Sequence, residues 1–242
     1  MKTILILLFS ITNLFAQKRQ TTEYVTIKTY VRNGALEKPF KIGYLAYLPE
    51  NYGCSGTSFP LIISFHGNGE KGTLTPDVLR KSFLPNRLDN GLNIPFIVIS
   101  PQTNGYRPAW SNAQFYRELL DSIKLKYKID TNKIFLVGYS GGGEGVCTWV
   151  KSGLPFAGIG TFSFVNKLTA SETCALNDKK VWSFHCLDDA TVGVGNTKNL
   201  ILNIKKCDPN AIPKTTYYAT GAHNSWSRGL ATDSLFNYFL GK

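Results

Sequence analysis

A serine between two glycines is the first feature of this chain that could do chemistry. Gly138, Ser140 and Gly142 match the pattern Gly-x-Ser-x-Gly, directly after the apolar run 134–137 and before a segment with helical spacing. A strand that turns abruptly into a helix would hold the serine in a strained conformation, so the residues two positions away must be small. The motif therefore predicts that Ser140 is a nucleophile.

The glycines that follow Ser140 also allow a different interpretation, a phosphate-binding loop. Gly141, Gly142 and Gly143 could open a helix whose N-terminus faces an anion. Such loops carry a Lys-Ser or Lys-Thr pair next, and none follows here. We therefore expect nucleophilic chemistry.

A serine nucleophile needs a base, and histidine titrates in the range that suits proton transfer near neutral pH. The chain has three histidines: His66, His185 and His223. His66 follows the apolar run 61–65, which suits a place in an oxyanion loop. His185 follows the run 181–184, where the turn that carries the acid should begin. His223 follows the last expected strand, in the chain order nucleophile, acid, base. By elimination, we predict that His223 is the base. The alternative is that His223 is an ordinary surface histidine without a catalytic role.

The acid of a triad accepts the second imidazole proton and fixes the tautomer. Asp188 and Asp189 both follow the strand that ends at His185. One could orient the histidine while the other caps the next turn. From the residues alone, both assignments remain open.

Several motifs occur in a fixed order from about residue 40 to the end of the chain. They are Tyr47–Tyr52, Phe65–Glu70, Gly138–Gly143, Phe184–His185 with Asp189, and His223–Trp226. In this order they resemble the polyhydroxybutyrate-depolymerase and feruloyl-esterase-like carbohydrate esterases. The resemblance implies an α/β-hydrolase fold that uses neither a metal nor an organic cofactor. It also implies Asp189 as the acid, with Asp188 second, and backbone N–H groups of Asn68 and Gly141 as the oxyanion hole.

The chain departs from this family pattern at Cys186, where glycine is usual, and at Ser227, where aspartate is more frequent. Three aromatic residues could line the substrate site, because flat rings suit phenolic acids and sugars. They are Trp110, Tyr139 and Trp226, and for each of them ordinary core packing is the alternative.

The elements around these motifs predict an α/β protein. The stretches 24–31 and 42–48 flank a turn signal and predict an antiparallel hairpin. Continuous apolar runs predict buried parallel strands at 61–65, 96–99, 134–137, 156–162, 181–184 and 215–219. Helical spacing occurs at 115–127, 143–151, 197–206 and 230–240. We expect a mostly parallel sheet with an antiparallel N-terminal hairpin, helices on both faces and no large cap domain.

Composition sets the remaining expectations. Residues 1–16 combine Lys2 with a short apolar run and a small residue, which predicts a signal peptide, and 17–242 then form one domain. The run is too short to span a bilayer, so we expect a secreted or periplasmic protein without membrane insertion. The net charge of +11 is spread along the chain, so no nucleic-acid partner is predicted. Five cysteines allow two disulfides at most, and Cys147 is expected to be a buried free thiol.

Taken together, these features predict a secreted serine hydrolase of carboxylic esters, acting through a triad of Ser140, Asp189 and His223. Its expected partner is an ester that is either a small molecule or linked to a polysaccharide (feruloyl or acetyl), or a hydroxyalkanoate ester. The rival hypotheses are a short-chain carboxylesterase or phospholipase-like enzyme, a peptidase, and a non-catalytic glycan-binding module.

Overall fold

The computed structural model describes most of the chain, namely residues 19–28, 31–32, 35–36, 38–54, 56–72, 75–103 and 109–242. The expected signal peptide at 1–16 lies outside the described residues, and so does the centre of the expected turn, Asn33-Gly34.

The described residues form ten strands, which are β1 Gln20–Ile27, β2 Val31–Arg32, β3 Ala35–Leu36, β4 Phe40–Tyr47, β5 Phe59–Phe65, β6 Ile97–Pro101, β7 Ile129–Tyr139, β8 Gly158–Phe162, β9 Lys180–Cys186 and β10 Lys214–Tyr218. Eight of them make one sheet in the order β1-β4-β6-β5-β7-β8-β9-β10, while β2 and β3 pair separately. Six neighbouring strands of this sheet, β6, β5, β7, β8, β9 and β10, run parallel to one another. Strand β4 is antiparallel to both of its neighbours, β1 and β6.

The N-terminal antiparallel pair is present in the register that places Gln20 opposite Tyr47 and Ile27 opposite Phe40. It differs from the expected simple hairpin in one respect. The short β2–β3 ladder, with Val31 opposite Leu36, stands between the two strands.

In the described part of the chain, six α-helices surround the sheet: α1 Phe83–Asp89, α2 Ala113–Lys126, α3 Gly142–Lys151, α4 Gly195–Cys207, α5 Trp226–Gly229 and α6 Ser234–Leu240. Four 3₁₀ segments accompany them, at Asn68–Glu70, Pro76–Lys81, Ala109–Ser111 and Glu172–Leu176. Within the ranges described above, none of the helices has both the length and the apolar character that crossing a membrane requires.

The central strands are buried on both faces, because alternate side chains enter two different cores. In β7, Leu136 belongs to the core beneath α2, α3 and α4, whereas Phe135 and Val137 belong to the core beneath α1 and α6. This explains the continuous apolar runs of the sequence, since neither face of these strands meets water. The predicted mostly parallel sheet with helices on both faces is confirmed.

The C-terminal helix was predicted from Leu230, and this boundary is wrong. The N–H of Leu230 donates to the carbonyl of Trp226 at 2.9 Å, so Leu230 ends the short helix α5. The helix α6 begins only at Ser234. Helix α1 was not predicted, because its seven residues are too few to show a clear helical period.

Candidate active site

Ser140 lies at the turn from β7 into α3, and its backbone φ is 50°. This left-handed conformation is unfavourable for any residue with a Cβ, so other contacts must hold it. The N–H of Ser140 donates to the carbonyl of Phe162 at 3.1 Å, and the N–H of Val165 donates to the Ser140 carbonyl at 3.1 Å. The turn that carries Ser140 is thereby fixed to β8 and to the loop that follows it.

The glycines of the motif are required by close backbone contacts. A Cβ on Gly142 would lie 2.3 Å from the carbonyl oxygen of Phe65, and a Cβ on Gly138 would lie 2.9 Å from the carbonyl oxygen of Gly142. Real Cβ atoms do not approach backbone this closely, so any larger residue would move the turn away from β5.

Three side chains meet at the carboxyl edge of the sheet. The Nε2 atom of His223 lies 2.8 Å from the Ser140 hydroxyl, and its Nδ1 atom lies 2.8 Å from Oδ2 of Asp189. A carboxylate only accepts, so Nδ1 carries the proton and Nε2 is left to accept from Ser140. The arrangement is therefore that of a base set between a hydroxyl and a carboxylate.

Asp189 has no exposed side-chain area, yet it is held as an anion. Its Oδ1 accepts the N–H groups of Thr191 at 3.0 Å and Val192 at 2.9 Å. Burial raises the pKa of Asp189, but the hydrogen bonds from Val192 and His223 outweigh it, and the pKa lies below the ordinary aspartate value. An ionised acid can stabilise the imidazolium that forms when His223 accepts a proton.

The adjacent carboxylate of Asp188 binds other groups. It accepts the N–H of Ala222 at 2.8 Å and the N–H of Gly221 at 3.1 Å. Ala222 has a φ of 47°, so Asp188 helps to hold a left-handed turn immediately before His223. Of the two candidates that the sequence left open, Asp189 contacts the histidine and Asp188 caps its loop.

His185 is fully buried behind the acid. One ring nitrogen, Nε2, lies 2.8 Å from the Val192 carbonyl and 3.4 Å from Oδ2 of Asp189, and the other lies 2.8 Å from the Thr197 hydroxyl. Because a carbonyl only accepts, Nε2 carries the proton and Nδ1 accepts from Thr197. Burial lowers the pKa of His185 and keeps the ring neutral. The ring thus fastens the 189–192 turn to α4.

The loop after β5 lies against the turn that carries Ser140. A Cβ on Gly141 would stand 2.4 Å from Oδ1 of Asn68, so these two predicted oxyanion residues are neighbours. The Nδ1–H of His66 donates to the Gly67 carbonyl at 2.6 Å, while its Nε2 accepts from the Thr103 N–H at 3.0 Å. The Gly67 carbonyl and the Asn68 N–H belong to the same peptide group. Because this peptide is trans, the N–H points in the direction opposite to the carbonyl. His66 therefore fixes the direction of that N–H.

The solved structures include 753 chains similar to this fold. The feruloyl esterase module from Clostridium thermocellum, complexed with sinapinate, aligns with a TM-score of 0.68 and 17% identity over 92% of this chain and 89% of the module. A structure described as a thermostable esterase aligns with a TM-score of 0.64 and 21% identity over 90% of this chain. The chain has the α/β-hydrolase fold.

The α/β-hydrolase fold is shared with proteins of other reported activities and sizes. An acylaminoacyl peptidase aligns with a TM-score of 0.63 and 14% identity over 93% of this chain. This chain spans 62% of the length of the thermostable esterase and 42% of the length of the peptidase. No protein-family model matches the sequence, and no curated protein matches it.

The three aromatic residues that the sequence suggested for a substrate site lie in different environments. Trp226 is half-buried, with its ring 5.7 Å from that of His223, so it borders the triad. Tyr139 is buried beneath it, at a ring separation of 4.6 Å. Trp110 packs in the core against Phe65 and His66, which is the alternative stated for it above.

Other expectations concern cysteines and metals. Cys147 is free and buried, as predicted, and burial raises the pKa of its thiol to about 11. Cys174 and Cys207 form a disulfide. In the part of the chain that the structure describes, no three His, Cys, Asp or Glu side chains are grouped as metal ligands would be.

Two buried serines beside the triad, Ser163 and Ser225, were missed by the sequence analysis, and so was the contact of His185 with the acid turn. Ser225 could have been noticed, because it belongs to the motif that starts at His223. Ser163 follows the end of β8 without any pattern that marks it.

Proposed function

We propose that this protein is a serine esterase that hydrolyses carboxylic esters through an acyl-enzyme intermediate. The observation that supports this most directly is the pair of 2.8 Å contacts by which His223 bridges Ser140 and Asp189. The alignment with esterase structures agrees with it, although those proteins share the fold at low identity. The three triad positions are filled, which argues against a non-catalytic binding module.

The mechanism follows from the proton positions. His223 accepts the Ser140 proton at Nε2 while the hydroxyl oxygen attacks the ester carbonyl. The N–H groups of Gly141 and Asn68 donate to the resulting oxyanion, and one such donor contributes about 3 kcal/mol. The imidazolium, stabilised by Asp189, then protonates the departing alcohol. Water activated by the same histidine releases the acid from Ser140.

We further propose that the alcohol side of the ester is a carbohydrate. A cleft of about 490 Å³ lies between the loop after β8 and helix α4, and four asparagines line it: Asn166, Asn196, Asn199 and Asn203. Amide side chains both donate and accept, which suits sugar hydroxyls. Two of its lining residues are chain neighbours of residues that hold the triad: Asn166 follows Val165, whose N–H donates to the Ser140 carbonyl, and Gly193 follows Val192, whose N–H donates to Asp189.

The acyl group is proposed to be feruloyl or acetyl, with hydroxyalkanoate esters as the second class. The half-buried ring of Trp226 beside His223 offers one flat apolar wall for an aromatic acyl group. An exported location is part of the proposal, because the disulfide between Cys174 and Cys207 suits an oxidising compartment.

The nucleophile is tested with a fluorophosphonate probe on three proteins. Wild type and Ser171→Ala, which changes an exposed serine far along the chain, are expected to be labelled covalently. Ser140→Ala is expected to stay unlabelled and to lose about 10³-fold or more in kcat for p-nitrophenyl acetate. Equal labelling of Ser140→Ala, or no labelling of wild type, would overturn the assignment.

The same proteins separate the rival substrates. We expect a feruloylated arabinoside to be cleaved with a higher kcat/KM than methyl ferulate, because only the former carries a sugar. Faster cleavage of an acylaminoacyl anilide than of either ester would instead favour the peptidase hypothesis. The fold is compatible with that activity, because an acylaminoacyl peptidase shares it.

A further inference from the structure

His185 is a fully buried histidine that takes no part in the proposed reaction. It is the penultimate residue of β9 and precedes Asp189 by four positions. A polar ring in such a position costs free energy unless its nitrogens are hydrogen-bonded. Both nitrogens of His185 have partners, Val192 on one side and Thr197 on the other, so polar contacts define the orientation of the ring.

The single proton of this ring is directed at the loop of the acid. It is carried by Nε2, which donates to the Val192 carbonyl at 2.8 Å. The same atom lies 3.4 Å from Oδ2 of Asp189, the carboxylate oxygen that also accepts from His223 at 2.8 Å. One N–H therefore faces two acceptors, and the nearer of them, the carbonyl, receives the stronger part of the bond.

Val192 links His185 to the other oxygen of the carboxylate. Its N–H donates to Oδ1 of Asp189 at 2.9 Å, while its carbonyl accepts from His185. Val192 is buried, so a carbonyl without a donor there would be costly. If the donor on His185 were lost, Val192 would have to turn toward another donor, and the N–H that holds Asp189 would turn with it.

Thr197 fixes the ring from the opposite side. Its hydroxyl lies 2.8 Å from Nδ1 of His185, and Thr197 is fully buried in the first turn of α4. Since Nδ1 accepts this hydroxyl proton, the ring proton stays on Nε2, where it faces the acid loop. The acid is thereby connected to α4 as well as to β9.

We propose that His185 is a positioning residue of the triad. Its Nε2–H keeps the carboxylate of Asp189 aimed at His223, both through Val192 and by its own contact with Oδ2. The inference rests on the triad of the proposed function. His185 exchanges no proton during the reaction and acts on turnover only through Asp189.

The test compares His185→Asn with His185→Gln. The asparagine amide reaches only the position of Nδ1, so it keeps the contact with Thr197 and loses the donor at Nε2. The longer glutamine places its amide nitrogen near the position of Nε2 and can still donate to Val192. We expect His185→Asn to lower kcat for p-nitrophenyl acetate roughly tenfold with KM unchanged, and His185→Gln to stay within about threefold of wild type. A loss in His185→Gln as large as that in His185→Asn, or no loss in either, would overturn the inference.

A matched control measures the cost of losing a buried polar group from the same strand. Ser183 lies on the same face of β9, is fully buried and accepts from the Thr161 hydroxyl at 2.8 Å. Ser183→Ala should therefore destabilise the fold without changing the acid loop, and we expect its kcat to stay within about twofold of wild type. A tenfold loss of kcat in Ser183→Ala would show that any buried polar loss in β9 slows turnover, and the assignment of His185 would fail.

A measurement on wild type keeps the inference testable if no variant of His185 folds. Nitrogen NMR of isotope-labelled histidine reports which ring nitrogen carries the proton, and His66→Gln and His223→Gln assign two of the three rings. We expect the remaining ring, His185, to be protonated at Nε2 and not at Nδ1 near neutral pH. A ring protonated at Nδ1, or at both nitrogens, would contradict the proposed contact.

A second resonance keeps this test separate from the test of esterase activity. The Nδ1–H proton of His223 reports the contact with Asp189 and needs no substrate. Because a weaker hydrogen bond deshields its proton less, we expect this resonance to move upfield in His185→Asn and to stay in Ser183→Ala. If wild type hydrolyses no ester but the resonance moves, the proposed function fails and the positioning contact stands. If ester turnover is present and the resonance does not move, the positioning contact fails alone.

Discussion

Asp188 and Asp189 are chain neighbours that bind different groups, and single-residue substitutions should separate them. Asp189→Asn would present an amide to His223 and favour the wrong tautomer, with an expected loss of about 10³- to 10⁴-fold in kcat. Asp188 accepts only backbone N–H groups of residues 221 and 222 and is exposed, so Asp188→Asn should lose less than about tenfold. Turnover of p-nitrophenyl acetate measures both, and a larger loss for Asp188→Asn would contradict the geometry.

Single functional residues could be predicted where the evidence for them lies in consecutive residues of the sequence. The serine motif is local, and its steric reason can be stated from five consecutive residues. His223 was reached because the chain has only three histidines. Ser163 had no such route, because its partner Ser225 is 62 residues away and the two meet only when β8, β9 and the last loop are assembled.

Among the elements, α4 contributes Asn196, Asn199 and Asn203 to the asparagine-lined cleft, and it packs against the 3₁₀ segment Glu172–Leu176. The disulfide joins them, from Cys174 to Cys207 across 33 residues of sequence. In the chain-entropy description, a closed loop of this length stabilises the folded state by about 3 to 4 kcal/mol. The bond lies away from the triad residues, so it should affect stability more than turnover.

The double variant Cys174→Ser/Cys207→Ser should therefore lose about 3 to 4 kcal/mol in free energy of unfolding, measured by urea titration. Its kcat for p-nitrophenyl acetate at 25 °C should stay within about twofold of wild type. Cys54→Ser is the matched control, because Cys54 is free and exposed. A double variant as stable as Cys54→Ser would show that the loop is already ordered without the bond.

The elements were predicted well where burial imposes a pattern and poorly where it does not. The parallel strands β5 to β9 lie where the apolar runs lie, because both faces of the sheet are covered there. The run 215–219 was also predicted to be a buried strand, and this is wrong, because β10 is the edge strand and none of its residues is buried. Strand β7 extends back to Ile129 through Asp130 and Lys133, polar residues that no apolar run could include. The break between α5 and α6 depends on a local turn after Leu230, and the helical period continues across it.

For the molecule as a whole, buried neutral histidines make folding stability depend on pH. Burial lowers the pKa of His66 from 6.5 to about 4. Below pH 6.5 the unfolded chain binds a proton at this ring that the folded chain does not bind until about pH 4, so acid favours unfolding. One pKa unit corresponds to about 1.4 kcal/mol, and His66 alone should remove about 3 kcal/mol over this interval.

The variant His66→Gln tests this by urea unfolding at several pH values between 7 and 4. It should be less stable than wild type at pH 7, because the contacts of His66 with Gly67 and Thr103 are changed, but its stability should fall less steeply on acidification. His185, whose pKa burial also lowers, is retained in both proteins and cancels in the comparison. Parallel curves for the two proteins would contradict a neutral, buried His66.

Three residues around the candidate site, Ser140, Ser163 and Ala222, share a left-handed backbone that glycine would adopt without strain. An engineering screen that scores only heat resistance would be drawn to glycine at these positions, since relieving strain stabilises a fold. At Ser140, that choice would delete the proposed nucleophile. Selection of hardier variants of this protein therefore has to score turnover in every round, because the turns that are easiest to stabilise are those that hold the triad together.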